Sequence, residues 1–351
     1  MKPEQRALVA AIGRVAADWR DPKHVLRQDS VARTLDTGNR FTEEALAFAI
    51  NQQMAQVTED GLMDWIAGRH TDRPCEVGVL NAGNIPLVGL QDFLAVVLTG
   101  HRYLGTRSRR SPVLLPAFVD AVRDRAGGLK ARFAPSSEMW EAADAVIATG
   151  SDSTLAWVEG EARSRRIAAS RCLLRGHRYG VAVLDGHESQ TDRDNLAEDA
   201  LLHEGLGCRS IAMIWAPKEL NPDSYLDSFA AFRGVFPAHA ETPGALSMQK
   251  AFLDALSLPH AYGEGLEFLL SKGVPEPQGP CHVRWVEYDS LDQVVAFLSA
   301  HAHALQLVAT RSALLETLPA ELPLVALGEA QRPPLDWWPD GINTVAFLCA
   351  L

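Results

Sequence analysis

The sequence predicts an α/β protein of two lobes with mostly parallel sheets, led by a helical N-terminal segment. Three observations carry this. Residues 3 to 68 place apolar side chains at helical spacing, with Leu8, Ile12, Val15 and Trp19 on one stripe. From Glu76 onward short apolar runs alternate with amphipathic helices, the pattern of parallel strands covered on both faces. The alternation then resumes beyond Pro217. A chain of 351 residues, 47% hydrophobic and 22% charged, is long enough to bury two cores. The expected boundaries are 1–203 for the helical segment and first lobe, 204–312 for the second lobe, and 313–351 for a return segment packing on the first.

Each element has a local reason. Residues 43–54 and 62–66 continue the helical period of the leading segment. The strands VGVLN, RYLGT, LKARFA and ADAVIATG are separated by helical patterns, of which 87–98 and 113–125 are the clearest. A helix TLAWVEGEA, a short apolar stretch RIAAS and a strand GVAVLD follow. In the second lobe, 225–236 and 247–256 read as helices, HVRWVEY and LQLVAT as strands, and 290–301 as an amphipathic helix between them. Pro and Trp density in RPPLDWWPDG argues for a packed return of the chain rather than a linker.

The formal charge of −11 argues against a general nucleic-acid or anionic-membrane surface. No apolar run approaches the roughly 18 residues of a membrane span, and the N-terminus lacks a signal-peptide core, so a cytoplasmic protein is expected. Cys75, Cys172, Cys208, Cys281 and Cys349 are odd in number and lack CxxC pairing, which indicates reduced thiols and neither a disulfide framework nor a metal site.

Four loops carry candidate chemistry. In NAGNIPL, residues 81–87, Asn84 reads either as the cap of a strand-to-helix turn begun by Pro86 or as an amide donor to a developing oxyanion. In GTRSRRSP, residues 105–112, Arg107, Arg109 and Arg110 form either a solvated basic turn or a seat for a phosphate-bearing ligand. In ATGSDST, residues 148–154, Gly150 permits close backbone approach, Ser151 or Asp152 can cap, and the helix N-terminus favours an anion that Asp152 would oppose. No GxGxxG follows the first strand, so the usual dinucleotide fingerprint is absent. In HEGLGCRS, residues 203–210, a helical pattern stops at glycines and presents Cys208. This cysteine is either a small buried hydrophobe or a nucleophile whose thiolate the Arg209 charge and nearby N–H groups favour.

Taken in order, these loops resemble those of the aldehyde dehydrogenase superfamily, and within it the acyl-CoA reductases of the bacterial bioluminescence type, over residues 75 to 351. GNIPL looks like the superfamily's Trp-Asn-aromatic-Pro loop, and TGSDST like its Gly-Ser phosphate turn. EGLGCRS looks like its cysteine nucleophile loop, and EPQGP like its Glu-x-x-Gly-Pro motif. The resemblance implies an aldehyde-dehydrogenase-like fold, with a nicotinamide-cofactor-binding first lobe and a catalytic second lobe. It implies Cys208 as nucleophile and Asn84 as oxyanion donor, with cofactor contacts from Thr106, Arg107, Ser108, Arg109, Gly150, Ser151 and Glu276. Two departures stand out. Thr106-Arg107-Ser108 replaces the usual Lys-Pro-Ser, removing a ribose contact. Leu173 falls where hydrolytic members carry a glutamate base, with Glu188 and Glu204 as other carboxylates able to fill that role.

The implied activity is NADPH-dependent reduction of an acyl-CoA thioester to a fatty aldehyde through a cysteine-bound acyl-enzyme, with NADH kept open. The alternatives are a CoA-acylating aldehyde dehydrogenase, a reductase fed by an acyl carrier protein or an acyl-transferring partner enzyme, and a non-catalytic scaffold subunit. A homodimer is expected from the resemblance.

Overall fold

The computed structural model describes residues 2–351. The chain divides into two compact units, Met1–His177 with Pro334–Leu351, and Arg178–Pro333.

The first unit opens with four helices, α1 (Pro3–Arg20), α2 (Val25–Leu35), α3 (Glu43–Gln56) and α4 (Glu59–Ile66). Thr42 and Thr58 cap α3 and α4 by accepting from the N–H groups of Ala45 and Gly61, and Glu43, Glu44, Glu59 and Asp60 suit the positive ends of those helices. Strands β1 (Glu76–Leu80), β2 (Arg102–Gly105), β3 (Ala131–Phe133), β4 (Ala145–Thr149) and β5 (Cys172–Arg175) form a sheet in the order β3-β2-β1-β4-β5, every pair parallel. The crossovers are α5 (Leu90–Leu98), α6 (Leu114–Ala126), α7 (Ser136–Ala142) and α8 (Asp152–Ser164). Val77, Val79 and Ile147 are fully buried, as strands covered on both faces require. Trp19 of α1 meets Phe118 of α6 edge-on, with ring centroids 5.4 Å apart, which ties the leading helices to the sheet layer.

In the second unit, β6 (Tyr179–Val183), α9 (Gln190–Leu201), β7 (Ile211–Pro217), α10 (Asp223–Val235), α11 (Thr242–Ala255), β8 (His260–Tyr262), β9 (Leu269–Lys272), β10 (His282–Tyr288), α12 (Leu291–Ala300), β11 (Leu305–Thr310) and β12 (Leu324–Ala326) follow in turn. The sheet order is β12-β11-β6-β7-β10-β9-β8, parallel except for the edge pair β8–β9. A final helix, α13 (Thr344–Cys349), returns to the first unit. There Gln91 Nε2 donates to the carbonyls of Leu335 and Trp337, both at 2.7 Å, and His101 Nε2 lies 2.8 Å from Leu348 O. Arg175 grips the buried Asp92 bidentately, 2.9 Å on each arm, and donates to Thr344 Oγ1 at 2.7 Å.

The observed boundaries differ from those expected at 203 and 313. Strand β6 hydrogen-bonds between β7 and β11, so the change of unit falls at 177/178. Strand β12 still pairs with β11, which delays the return until Pro334. The helix expected at 87–98 starts only at Leu90, because Leu87 and Gly89 take left-handed backbone angles of φ 57° and 90°. Among the described residues, no helix is long and apolar enough to cross a membrane.

Candidate active site

The strand order of the first sheet reverses between β1 and β4, and in open α/β sheets ligands bind at the carboxyl ends of the strands beside such a reversal. Three of the four candidate loops leave the carboxyl ends of β1, β2 and β4. In the loop after β1, Asn81 is the anchor: its Nδ2 donates to Tyr103 Oη at 2.9 Å and to Thr106 O at 3.0 Å. A side chain on Gly89 would put Cβ 2.1 Å from Asn81 Oδ1, so the turn needs glycine for space as well as for its angle. Asn84 sits half-buried in the bend ahead of this turn. It does not cap α5, whose N-cap is Gly89, so the capping reading fails.

After β2, Thr106 N–H donates to Val79 O at 2.8 Å, extending the ladder, and Ser108 Oγ accepts from Arg110 N at 3.3 Å. Gly83 lets the first loop close on the second, since a Cβ there would lie 2.0 Å from Ser108 Oγ. Arg107 and Arg109 are exposed, and Arg107 lies over the Phe133 ring at 5.8 Å. Arg107 also lines a hollow of about 350 Å³ with Arg33 and Asp120, to which residues 81–89 and 150–152 contribute nothing. After β4, Ser151 is the N-cap of α8: its Oγ accepts from Thr154 N at 3.3 Å, which settles the choice between Ser151 and Asp152. Gly150 N–H donates to Arg175 O at 3.1 Å. The N-terminus of the 13-residue α8 thus opens at the strand-order reversal, where its dipole favours an anion.

The fourth loop belongs to the second unit. His203, Glu204 and Gly205 are successively left-handed, at φ 54°, 58° and 63°. Each of the two non-glycine residues costs about 1–2 kcal/mol in that region. The bend leads to a turn closed by Ser210 N–H on Gly207 O at 3.0 Å, and Cys208 is half-buried at its apex. Two buried polar groupings grip the loop. On the near side, Glu204 pairs with Arg233, N···O 3.0 Å. On the far side, Arg209 Nε donates to Ala330 O at 2.5 Å and Nη2 to Glu329 O at 3.1 Å. Burial lowers Arg209 to about 10, while the neighbouring Cys208 charge acts to raise it, so the two side chains do sense each other. Asp199 holds the same 328–330 turn, accepting from Gly328 N at 2.7 Å and Ala330 N at 3.1 Å, and burial pushes its carboxyl up to about 7.

The other four cysteines are all pushed above the ordinary thiol value by burial, Cys281 furthest. Glu276 is exposed in the loop between β9 and β10, and its charge acts on the Arg284 guanidinium. Among the described residues, no three His, Cys, Asp or Glu side chains gather as a metal site requires. Leu173 is a core residue of the first unit, 3% exposed. Both alternative carboxylates are engaged. Glu188 accepts from Tyr225 Oη at 2.6 Å and from the N–H groups of Asp185 and Gly186, and Glu204 is held by Arg233. Sequence reading missed Asp199, Arg233 and Asn81. A charged residue within an apolar helical face, as Arg233 is, was the available signal.

The family model described as acyl-CoA reductase (LuxC) matches residues 74–223, a segment that contains Asn84, the arginine loop, Ser151 and Cys208 but not Glu276. A search of curated protein sequences finds no match. Among solved structures, a lactaldehyde dehydrogenase superposes with TM-score 0.69 at 12% identity, covering 93% of this chain and 78% of its own. The NAD⁺ complex of an aldehyde dehydrogenase from Bacillus cereus gives 0.68 at 13%, covering 93% and 76%. A mutant of aldehyde dehydrogenase C from Pseudomonas syringae, with NAD⁺ and octanal, gives 0.68 at 16%, covering 93% and 77%. The chain therefore has the aldehyde dehydrogenase fold. Over residues 74–223 the chain is similar to the acyl-CoA reductase (LuxC) family, in the region where three of the four ordered motifs lie.

Proposed function

We propose that this enzyme reduces an acyl-CoA thioester to an aldehyde, with the second unit supplying the nucleophile and the first unit holding a reduced nicotinamide dinucleotide, NADPH by preference. The observation that carries the reading is the setting of Cys208. A strained, doubly anchored bend in the LuxC-type segment presents one half-buried cysteine beside a buried arginine, while burial disfavours the thiolate of every other cysteine.

The residues of the first unit fit the dinucleotide. The α8 N-terminus at the strand-order reversal suits the pyrophosphate, with Gly150 and Ser151 giving close backbone approach. The exposed Arg107 and Arg109 suit a 2′-phosphate, which favours NADPH over NADH. Thr106 and Ser108 stand where a ribose-contacting lysine is missing, and Glu276, an exposed residue of the second unit, is assigned a ribose hydroxyl on the resemblance alone. Bound there, the cofactor supplies the two electrons of the reduction.

The chain's own part is covalent catalysis. Cys208 Sγ, as thiolate, attacks the thioester carbonyl. The Asn84 amide and the Cys208 N–H donate to the oxyanion, each donor contributing about 3–4 kcal/mol. The carbon–sulfur bond to coenzyme A breaks, coenzyme A leaves as the thiol, and the acyl group remains on Cys208. After reduction, collapse of the thiohemiacetal releases the aldehyde and restores the thiol. The net reaction consumes one acyl-CoA, one reduced cofactor and one proton. Glu188 and Glu204 are engaged elsewhere and Leu173 is a core residue, so no carboxylate is assigned to activate water and little free acid is expected. Five cysteines, none joined in a disulfide, suit a reducing compartment, the cytoplasm.

The test is incubation of the protein with acyl-CoA without cofactor, then peptide mass analysis. An acyl mass on the Cys208 peptide, absent in Cys208→Ala, is expected, with aldehyde appearing once NADPH is added. Substantial turnover by Cys208→Ala would overturn the assignment. Acylation by acyl-carrier thioesters only, or faster aldehyde oxidation than thioester reduction, would shift the donor or the direction.

A further inference from the structure

Four residues before Cys208, the carboxylate of Glu204 closes a ring of polar groups inside the second unit. Glu204 Oε1 accepts from Arg233 Nη1 at 3.0 Å, Arg233 Nη2 lies 3.0 Å from Cys281 Sγ, and the Cys281 thiol lies 3.5 Å from Glu204 Oε2. Thr242 Oγ1 donates to that same Oε2. The charged side chains of the pair are each 5% exposed. The four residues come from separate segments: the left-handed bend, α10, the start of α11, and the end of the loop that carries Glu276. Backbone packing reinforces the link, because a Cβ on Gly205 would sit 3.1 Å from Cys281 N and 3.3 Å from Ala200 O.

A bend with two consecutive non-glycine residues in the left-handed region persists only where the surroundings over-determine it. Glu204 is itself one of those residues, and its side chain is held on both oxygens. We propose that Glu204 is a positioning residue for the nucleophile. Its ion pair with Arg233, completed by Thr242 and Cys281, holds the 203–205 bend, aims Cys208 Sγ, and ties that bend to the Glu276 loop. The proposal rests on Cys208 being the nucleophile. It gives Glu204 a role other than general base, since both oxygens already accept buried donors. It also gives Cys281 a use as a neutral hydrogen-bond link, because burial and the Glu204 charge hold its thiol protonated.

The experiment compares full-length wild type, Glu204→Gln, Thr242→Val and the double variant Glu204→Gln/Arg233→Met. Three quantities are read: single-turnover acylation of Cys208 by an acyl-CoA, alkylation of Cys208 by iodoacetamide, and the melting temperature. Acyl transfer demands an aligned sulfur, and a displacement of about 1 Å costs on the order of 100-fold. Glu204→Gln is expected to slow acylation by about 10- to 100-fold, and Thr242→Val by a few-fold, with alkylation of the still-present thiol changed far less. Glu204→Gln also strands the Arg233 charge and lowers the melting temperature. The double variant removes that charge and recovers the melting temperature, yet its acylation stays slow.

Wild-type acylation in Glu204→Gln, or acylation that returns with stability in the double variant, would overturn the positioning role and leave the nucleophile assignment intact. Loss of carboxylic-acid release in Glu204→Gln, with aldehyde formation unchanged, would make Glu204 a base instead. A wild type that no acyl-CoA acylates would overturn the reading on which the proposal rests.

Discussion

Asp199→Asn tests the far anchor of the cysteine loop through pH. The wild-type carboxyl is fully buried, and desolvation raises it from the ordinary 3.8 to about 7 against the opposing pull of the Gly328 and Ala330 N–H groups. Below pH 3.8 it is protonated in folded and unfolded chains alike, so it adds no pH dependence there. Between 3.8 and 7 the unfolded chain ionises first and the folded chain binds the extra proton, so stability falls as pH rises; above 7 the loss is complete. At about 1.4 kcal/mol per unit, a shift of about three units amounts to a loss on the order of 4 kcal/mol across that window. Asparagine cannot ionise, so its contribution is flat. Urea unfolding of both proteins, followed by tryptophan fluorescence from pH 5 to 8, isolates the effect. The stability of wild type minus that of Asp199→Asn should decline by on the order of 3 kcal/mol from pH 5 to 7 and then level off. A difference that is constant or rises with pH would show that the two backbone donors outweigh burial and that Asp199 is ionised throughout.

Asn84→Ala should lower turnover by about 100- to 1000-fold with a much smaller effect on KM, as expected of a group that acts in the transition state. A rise in KM at unchanged turnover would remove Asn84 from the chemistry. Arg107→Ala and Arg109→Ala should weaken NADPH more than NADH in a calorimetric titration, because only the former offers the 2′-phosphate. Equal losses for both cofactors would direct these arginines to coenzyme A phosphates or to solvent.

Long elements were legible in the sequence, and short ones were not. Strands β1, β4, β7 and β11 are mostly apolar runs of the kind a doubly covered parallel sheet requires, β10 alternates apolar with polar residues, and the amphipathic helices between strands fix the crossovers. Strand β5 escaped notice because its four residues end in Arg175, a charge that reads as loop until Asp92 and Thr344 are seen to satisfy it inside the fold. β8 and β9 are a short edge pair with no apolar period of their own. The expected unit boundary failed for a related reason. The glycines ahead of Cys208 look like a break, yet strand pairing across the chain decides which sheet β6 joins.

The sequence by itself determined the alternation of strand and helix, the four loops in their order, and the cysteine that follows two glycines, because hydrophobic period and backbone permissiveness are local properties. The tertiary structure alone decided what those loops are made to do. It showed that Asn84 does not cap a helix, that Leu173 is core, and that Glu204 and Asp199 are buried anchors on either side of Cys208. Such assignments depend on partners 29 to 132 residues away, Arg233 for Glu204 and the 328–330 turn and Gln331 for Asp199. The cost of burying a carboxylate is set by the donors that meet it, and those donors are brought together only when the chain folds.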